Sequence, residues 1–181
     1  MTADAELDRV VELCTQLSGG SREALEEIYR RWGRLVYSFA LRSLGNPHDA
    51  EEVTQSTFLA AWRSRRTLRP TPAALPGWLV GIAKHQIKEV RRQQQRQLRN
   101  DRTVSNGLRE EQELTDLALR LTLKNELQAL GEPRCTILRL AFVQDQTHEQ
   151  ITQQLAIPLG TVKSHLRRGL MQLRQRIEEV G

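Results

Sequence analysis

The stretch Thr147-His-Glu-Gln-Ile-Thr-Gln-Gln-Leu-Ala-Ile-Pro-Leu-Gly-Thr-Val-Lys-Ser-His-Leu-Arg-Arg-Gly-Leu-Met-Gln-Leu-Arg174 reads as helix, turn, helix. Ile151 and Leu155 are four apart and Ile157 sits in a short break. Val162, Leu166, Leu170, Leu173 and Ile177 then recur every three or four residues, as one apolar helical face requires. The opposite face carries Lys163, Arg167, Arg168, Arg174 and Arg176 between Thr161 and Arg176, with no acidic residue among them. Thr161, Ser164 and His165 place short hydrogen-bonding groups near the start of the second helix. Such a helix suits a DNA major groove, where its first turns present hydroxyls and cations to base edges while flanking cations hold phosphates. Pro158 belongs at that start, since the first N–H groups of a helix lack partners and the ring presets φ. The competing reading is a solvated basic face on an ordinary core helix.

Working outward, the 181 residues suit one larger or two small domains, and a net charge of +5 with pI near 9.8 allows a polyanionic partner. The charge is uneven. Through Ala61 the acids Asp4, Glu6, Asp8, Glu12, Glu23, Glu26, Glu27, Asp49, Glu51 and Glu52 outnumber the bases Arg9, Arg22, Arg30, Arg31, Arg34 and Arg42, so the basic excess lies downstream. Acidic residues at the N-terminus stand where a signal peptide needs positive charge, and no apolar run approaches membrane-spanning length. Cys14 and Cys135 are too few and too far apart for a disulfide framework or a zinc cluster, and Cys14 shares a stripe with Leu7, Val10, Val11 and Leu17. The expectation is a cytoplasmic protein without membrane insertion.

Upstream of the helix-turn-helix the pattern is helical throughout. Glu6–Leu17 is a short amphipathic helix ended by Ser18-Gly19-Gly20. Ser21 caps a second helix whose stripe runs Leu25, Ile28, Trp32, Leu35 or Val36, and Phe39, until Gly45-Asn46-Pro47. Asn46 caps a third, with Pro47 in its first turn and Asp49, Glu51 and Glu52 near its positive end. There Val53, Thr57, Phe58, Ala61 and Trp62 pack inward and Glu51, Glu52 and Gln55 form an acidic outer edge; on physics alone this is helix solubility before it is a docking edge.

The Pro-rich segment 69–76 predicts a stiff loop, followed by a helix from about Gly77 past Arg92. Lys84, Lys88, Arg91, Arg92, Arg96, Arg99 and Arg102 face only Glu89 and Asp101 there. A basic helix beside a rigid loop and Trp78 can hold single-stranded DNA, with cations on phosphates and a base stacked nearby; the rival makes Trp78, Leu79 and Ile82 plain core. Residues 93–112 lose apolar periodicity and read as a flexible linker between a domain at 1–92 and a domain at 113–181. The fold expected is all-α: two small helical domains joined by that linker.

In that order the segments Glu26–Gly33, Asp49–Trp62, Trp78–Ala83 and Gly160–Leu166 resemble the extracytoplasmic-function sigma factors of bacterial RNA polymerase, over roughly residues 22 to 176. The resemblance implies region two in the first domain and region four in the second. It implies a polymerase-docking edge at Asp49, Glu51, Glu52, Gln55 and Phe58 against the β′ clamp helices, with the β flap as a further contact. It implies minus-ten reading by Leu75, Trp78, Lys84, His85, Lys88, Arg91 and Arg92, and minus-thirty-five reading by Thr161, Lys163, Ser164, His165, Arg167 and Arg168. Core RNA polymerase, promoter DNA and an anti-sigma protein are the implied partners, with no cofactor and no metal.

The chain departs from the family's common pattern in places. Leu75 stands for a frequent Phe, His85 for Asn and Ser56 for an acidic residue; Asp145 and Gln146 replace Gly-Leu, while Thr152, Ala156 and Gly169 replace Ala, Gly and Ala. An enzyme finds little support: His148-Glu149 begins like a zinc-protease motif, but Thr152 occupies the second histidine's place, and His48, His85, His148 and His165 are scattered. Two alternatives remain open, a stand-alone helix-turn-helix regulator binding duplex DNA and a polymerase-binding decoy that reads no promoter.

Overall fold

The computed structural model of the protein describes residues 3–71, 74–100, 125–144 and 146–179, and among these every regular element is helical. In chain order they are α1 (Ala3–Ser18), α2 (Arg22–Leu44), α3 (Pro47–Ser64), α4 (Ala74–Asn100), α5 (Arg134–Phe142), α6 (His148–Leu155) and α7 (Leu159–Glu179); a 3₁₀ turn, Arg65–Thr67, follows α3, and residues 125–128 are also helical.

Local chemistry sets most boundaries. The Ser21 side chain accepts from the Ala24 amide at 3.1 Å to open α2, and Gly45, at φ 74°, closes it in the left-handed region that glycine enters without a Cβ penalty. Asn46 accepts from the Asp49 amide at 3.2 Å to open α3, with Pro47 in the first turn. Thr147 and Gln150 form a reciprocal capping box on α6.

Two sequence expectations move. The helix placed at about Gly77 begins at Ala74, because Pro76 falls within the first turn, where its missing N–H costs nothing. It also runs on to Asn100, so residues 93–100 of the expected linker are helical; the remaining 101–112 lie outside the described residues.

In the first half Val10, Leu13, Cys14 and Leu17 of α1 are fully buried with Ile28, Trp32 and Leu35 of α2, and burial pushes the Cys14 thiol up to about 11. Arg9 pairs with Glu27 across α1 and α2, holding the Glu27 carboxyl below its ordinary value. In the second half Ile137, Leu138, Leu140 and Ile151 pack under Val162, Leu166, Leu170 and Leu173 of α7. The same apolar cluster joins both halves, with Phe39 and Val80 on one side and Leu138, Phe142, Leu170 and Leu173 on the other.

Candidate functional site

The turn between α6 and α7 rests on Ala156, at φ 53° and ψ 39°. A β-carbon there costs roughly 1–2 kcal/mol against a residue without one, yet the turn forms, since Ile151 and Val162 on either side are completely buried. Pro158 stands immediately before α7, and its carbonyl accepts from the Thr161 and Val162 amides at 2.9 and 3.0 Å.

On α7, Lys163 and Arg168 are exposed and Thr161, Ser164, His165 and Arg167 half-buried, all within the first three turns of the helix. Burial is the largest cause lowering the His165 pKa, with Arg168 and Arg134 adding to it, so the ring is neutral near pH 7 and offers hydrogen bonds rather than charge. The His148 pKa is lowered as well, chiefly by burial and further by Lys163 and Lys84.

The basic face read from sequence does not extend along all of α7. Arg174 is only 6% exposed: its guanidinium lies 5.2 Å from the Trp32 ring centroid, and its Nη1 is 3.2 Å from Glu178. Arg176 pairs with Glu126 at 2.5 Å. Both cations serve packing, because an arginine leaving water needs a carboxylate or an aromatic face.

On α4, His85, Lys88, Arg91 and Arg92 are exposed along one side. Arg91 donates to the Ser43 carbonyl at 2.5 Å and Arg92 pairs with Glu89, while Lys84, half-buried, donates from Nζ to the Ala141 carbonyl at 2.7 Å. Trp78 is half-buried against the core. Leu75 is 0% exposed and packs in the core, the helix start at Ala74 having drawn it under the bundle.

On α3, Glu51, Glu52 and Gln55 are exposed and Asp49 half-buried, its Oδ2 accepting from Gln94 at 2.8 Å. Phe58 is only 5% exposed and meets Tyr29 edge-to-face at 4.8 Å, so it supports this edge from beneath. Sequence reasoning missed the groove beside it, where Tyr29, Arg30, Gly33, Arg34 and Tyr37 of α2 face Glu51, Thr54 and Gln55. The spacing of Arg30, Arg34 and Tyr37 along one helical face was the available signal. Donor atoms of His48, Asp49 and Glu52 lie within 4.8 Å of one another, an arrangement that ordinary carboxylates at a helix N-terminus also produce.

Two family models match in this order: Sigma-70 region 2 over residues 28–97 and Sigma-70 region 4 over residues 127–175, together well over half of the chain. The first covers the acidic edge and most of α4, the second the helix-turn-helix. The chain belongs to the extracytoplasmic-function sigma factors. It is 31% identical to the ECF RNA polymerase sigma factor SigE of Mycolicibacterium smegmatis over 155 residues, which is 82% of this chain and 60% of that relative. It is 28% identical to SigK of Mycolicibacterium vanbaalenii over 94% of this chain and 89% of the relative, and 26% identical to SigL of Mycobacterium tuberculosis over 87% and 90%. Among solved structures, CnrH in complex with the cytosolic domain of CnrY matches at TM-score 0.45 and 19% identity, covering 95% of this chain and 99% of that one. In this sigma factor, then, region two supplies α3 and the exposed side of α4, and region four supplies α6 and α7.

Proposed function

We propose that this sigma factor binds core RNA polymerase through the acidic edge of α3 and directs initiation at promoters whose minus-ten element meets α4 and whose minus-thirty-five element meets α7. The observation that carries the reading is the separation of chemistry by surface: acids and Gln55 on α3, exposed cations on α4 and on the first turns of α7. His85, Lys88, Arg91 and Arg92 bind the strand opened at the minus-ten element, with Trp78 beside them. Lys163, Ser164, Arg167 and Arg168 read base edges and phosphates, and neutral His165 hydrogen-bonds rather than neutralises. Glu51, Glu52 and Gln55 meet cationic groups on the β′ clamp helices, and an anti-sigma protein controls the chain.

No helix among the described residues is long and apolar enough to cross a membrane, and the reading places the protein in the cytoplasm beside its polymerase, with no catalytic step of its own. The turn forms at Ala156, where the family commonly has Gly, and this counts against a decoy that reads no promoter.

The test is run-off transcription from a promoter library with purified core polymerase, with and without the protein, alongside gel filtration of the mixture. Co-elution with initiation from a new promoter class is expected. Absence of co-elution with a competent core overturns the reading in favour of a stand-alone regulator, and co-elution without initiation favours the decoy.

A further inference from the structure

The groove between α2 and α3 carries chemistry that neither DNA-reading surface uses. Its volume is about 440 Å³, within the roughly 300–1,000 Å³ range of small-molecule sites. On the α2 wall Arg30 and Arg34 stand one turn apart, both exposed and neither in an ion pair among the described residues. Glu51 lines the opposite wall and is paired with neither. Two guanidiniums so spaced suit an anion with several charged oxygens, because each forms its strongest hydrogen bonds as a planar fork on phosphate or carboxylate.

The same groove has a seat for a planar ring. Tyr29 is 48% exposed, yet Phe58 holds it edge-to-face at 4.8 Å, so the ring is both accessible and fixed. Gly33 lies against it: a β-carbon there would come within 3.7 Å of the Tyr29 ring, and without one the stretch between Tyr29 and Tyr37 stays open. An aromatic face already in place offers stacking at little cost in side-chain entropy. Across the groove Glu51 and Gln55 supply oxygens that accept from hydroxyl or amino groups.

We propose that this groove binds a nucleoside diphosphate, with its phosphates on Arg30 and Arg34, its base against Tyr29 and its sugar hydroxyls toward Glu51 and Gln55, and that its occupation excludes core polymerase. The exclusion rests on the sigma reading above, in which Glu51 and Gln55 belong to the docking edge. The same two side chains cannot serve the nucleotide and the clamp helices at once, so each ligand lowers the affinity for the other by the same factor. A polymerase side chain seated in the groove is the competing occupant.

Titration calorimetry of the full-length chain with ADP tests the site. Saturable binding is expected, weakened about tenfold or more in Arg30→Gln with Arg34→Gln as the charge-assisted bonds are lost. Arg63→Gln with Arg66→Gln, which removes equal charge from exposed positions elsewhere, is expected to leave it unchanged. Pyrophosphate alone and adenosine alone are expected to bind more weakly than ADP. No saturable binding, equal loss in both double variants, or pyrophosphate binding as tightly as ADP overturns the nucleotide site. If ADP does not bind and Arg30→Gln with Arg34→Gln loses co-elution with core polymerase, the groove belongs to the polymerase instead. Gel filtration of wild-type chain and core polymerase, with and without saturating ADP in the column buffer, tests the exclusion. Less co-elution with ADP is expected, and co-elution unmoved by ADP overturns the exclusion. Failure of the wild type to co-elute even without ADP defeats the sigma reading, while the calorimetry still decides the nucleotide site.

Discussion

The first and last turns of α7 carry the same kind of side chain and treat it in opposite ways. Lys163 and Arg168, near the start, stand in solvent beside half-buried Thr161 and Ser164. Arg174 and Arg176, two and more turns later, are spent on Trp32, Glu178 and Glu126. One basic stripe thus divides into a reading part and a packing part. What divides it is the proximity of the other half of the molecule: α2 lies beneath the end of α7, so a guanidinium there must satisfy itself on protein. Charge periodicity alone does not separate a DNA contact from an interdomain cation.

Trp32→Ala tests the packing part most severely. Removing a side chain that is 1% exposed is expected to lower stability by about 3–5 kcal/mol in urea titration. A loss under 1 kcal/mol breaks the claim that Trp32 anchors the end of α7.

At the reading end, Lys163→Ala or Arg167→Ala is expected to weaken promoter-duplex binding by about 1–3 kcal/mol while leaving polymerase binding unchanged. Arg174→Ala is expected instead to cost roughly 0.5–2 kcal/mol of stability as the cation–π contact is lost. Equal effects of all three on DNA would erase the division of the stripe.

A smaller gain is expected at the turn. Ala156→Gly releases the left-handed strain and should raise stability by about 1 kcal/mol, offset in part by the greater freedom of glycine in the unfolded chain. Thermal melting reads it directly, and a lowered midpoint would show that the turn is unstrained.

The mildest effect concerns pH. The His148 and His165 pKa values are lowered in the folded chain, so the unfolded chain binds more protons between those values and 6.5. Stability is therefore complete above 6.5 and declines as pH falls from there toward the folded values. Glu23, Glu27 and Glu149, also lowered, add a separate loss only as pH falls through and below 4.5. His148→Gln combined with His165→Gln should flatten the upper decline alone, as melting scans across that range would reveal.

Much of this was legible beforehand because it is local. Ser21 and Asn46 cap the helices at which they were expected, and the apolar stripes of α2, α3 and α7 are buried or half-buried. The acidic edge of α3 is exposed for the same reason: Val53, Thr57 and Ala61 fix which face turns inward. The burial of Leu75 was not legible because a Pro-rich segment signals a loop, whereas Pro76 fits inside a helical first turn and carries Leu75 into the core. Phe58 sits one residue from Thr57 at the margin of the buried face, and only its packing on Tyr29 shows that it supports the edge from below.

By itself the sequence determined the all-α class, the order of the helices and the chemistry of each face, since capping, periodicity and charge act over a few residues. Only the tertiary structure decided which cations remain for DNA, because burial of Arg174 on Trp32 and the bond from Lys84 to Ala141 join residues far apart in the chain. Contacts of that range follow from how helices stack, and no short window of sequence encodes them.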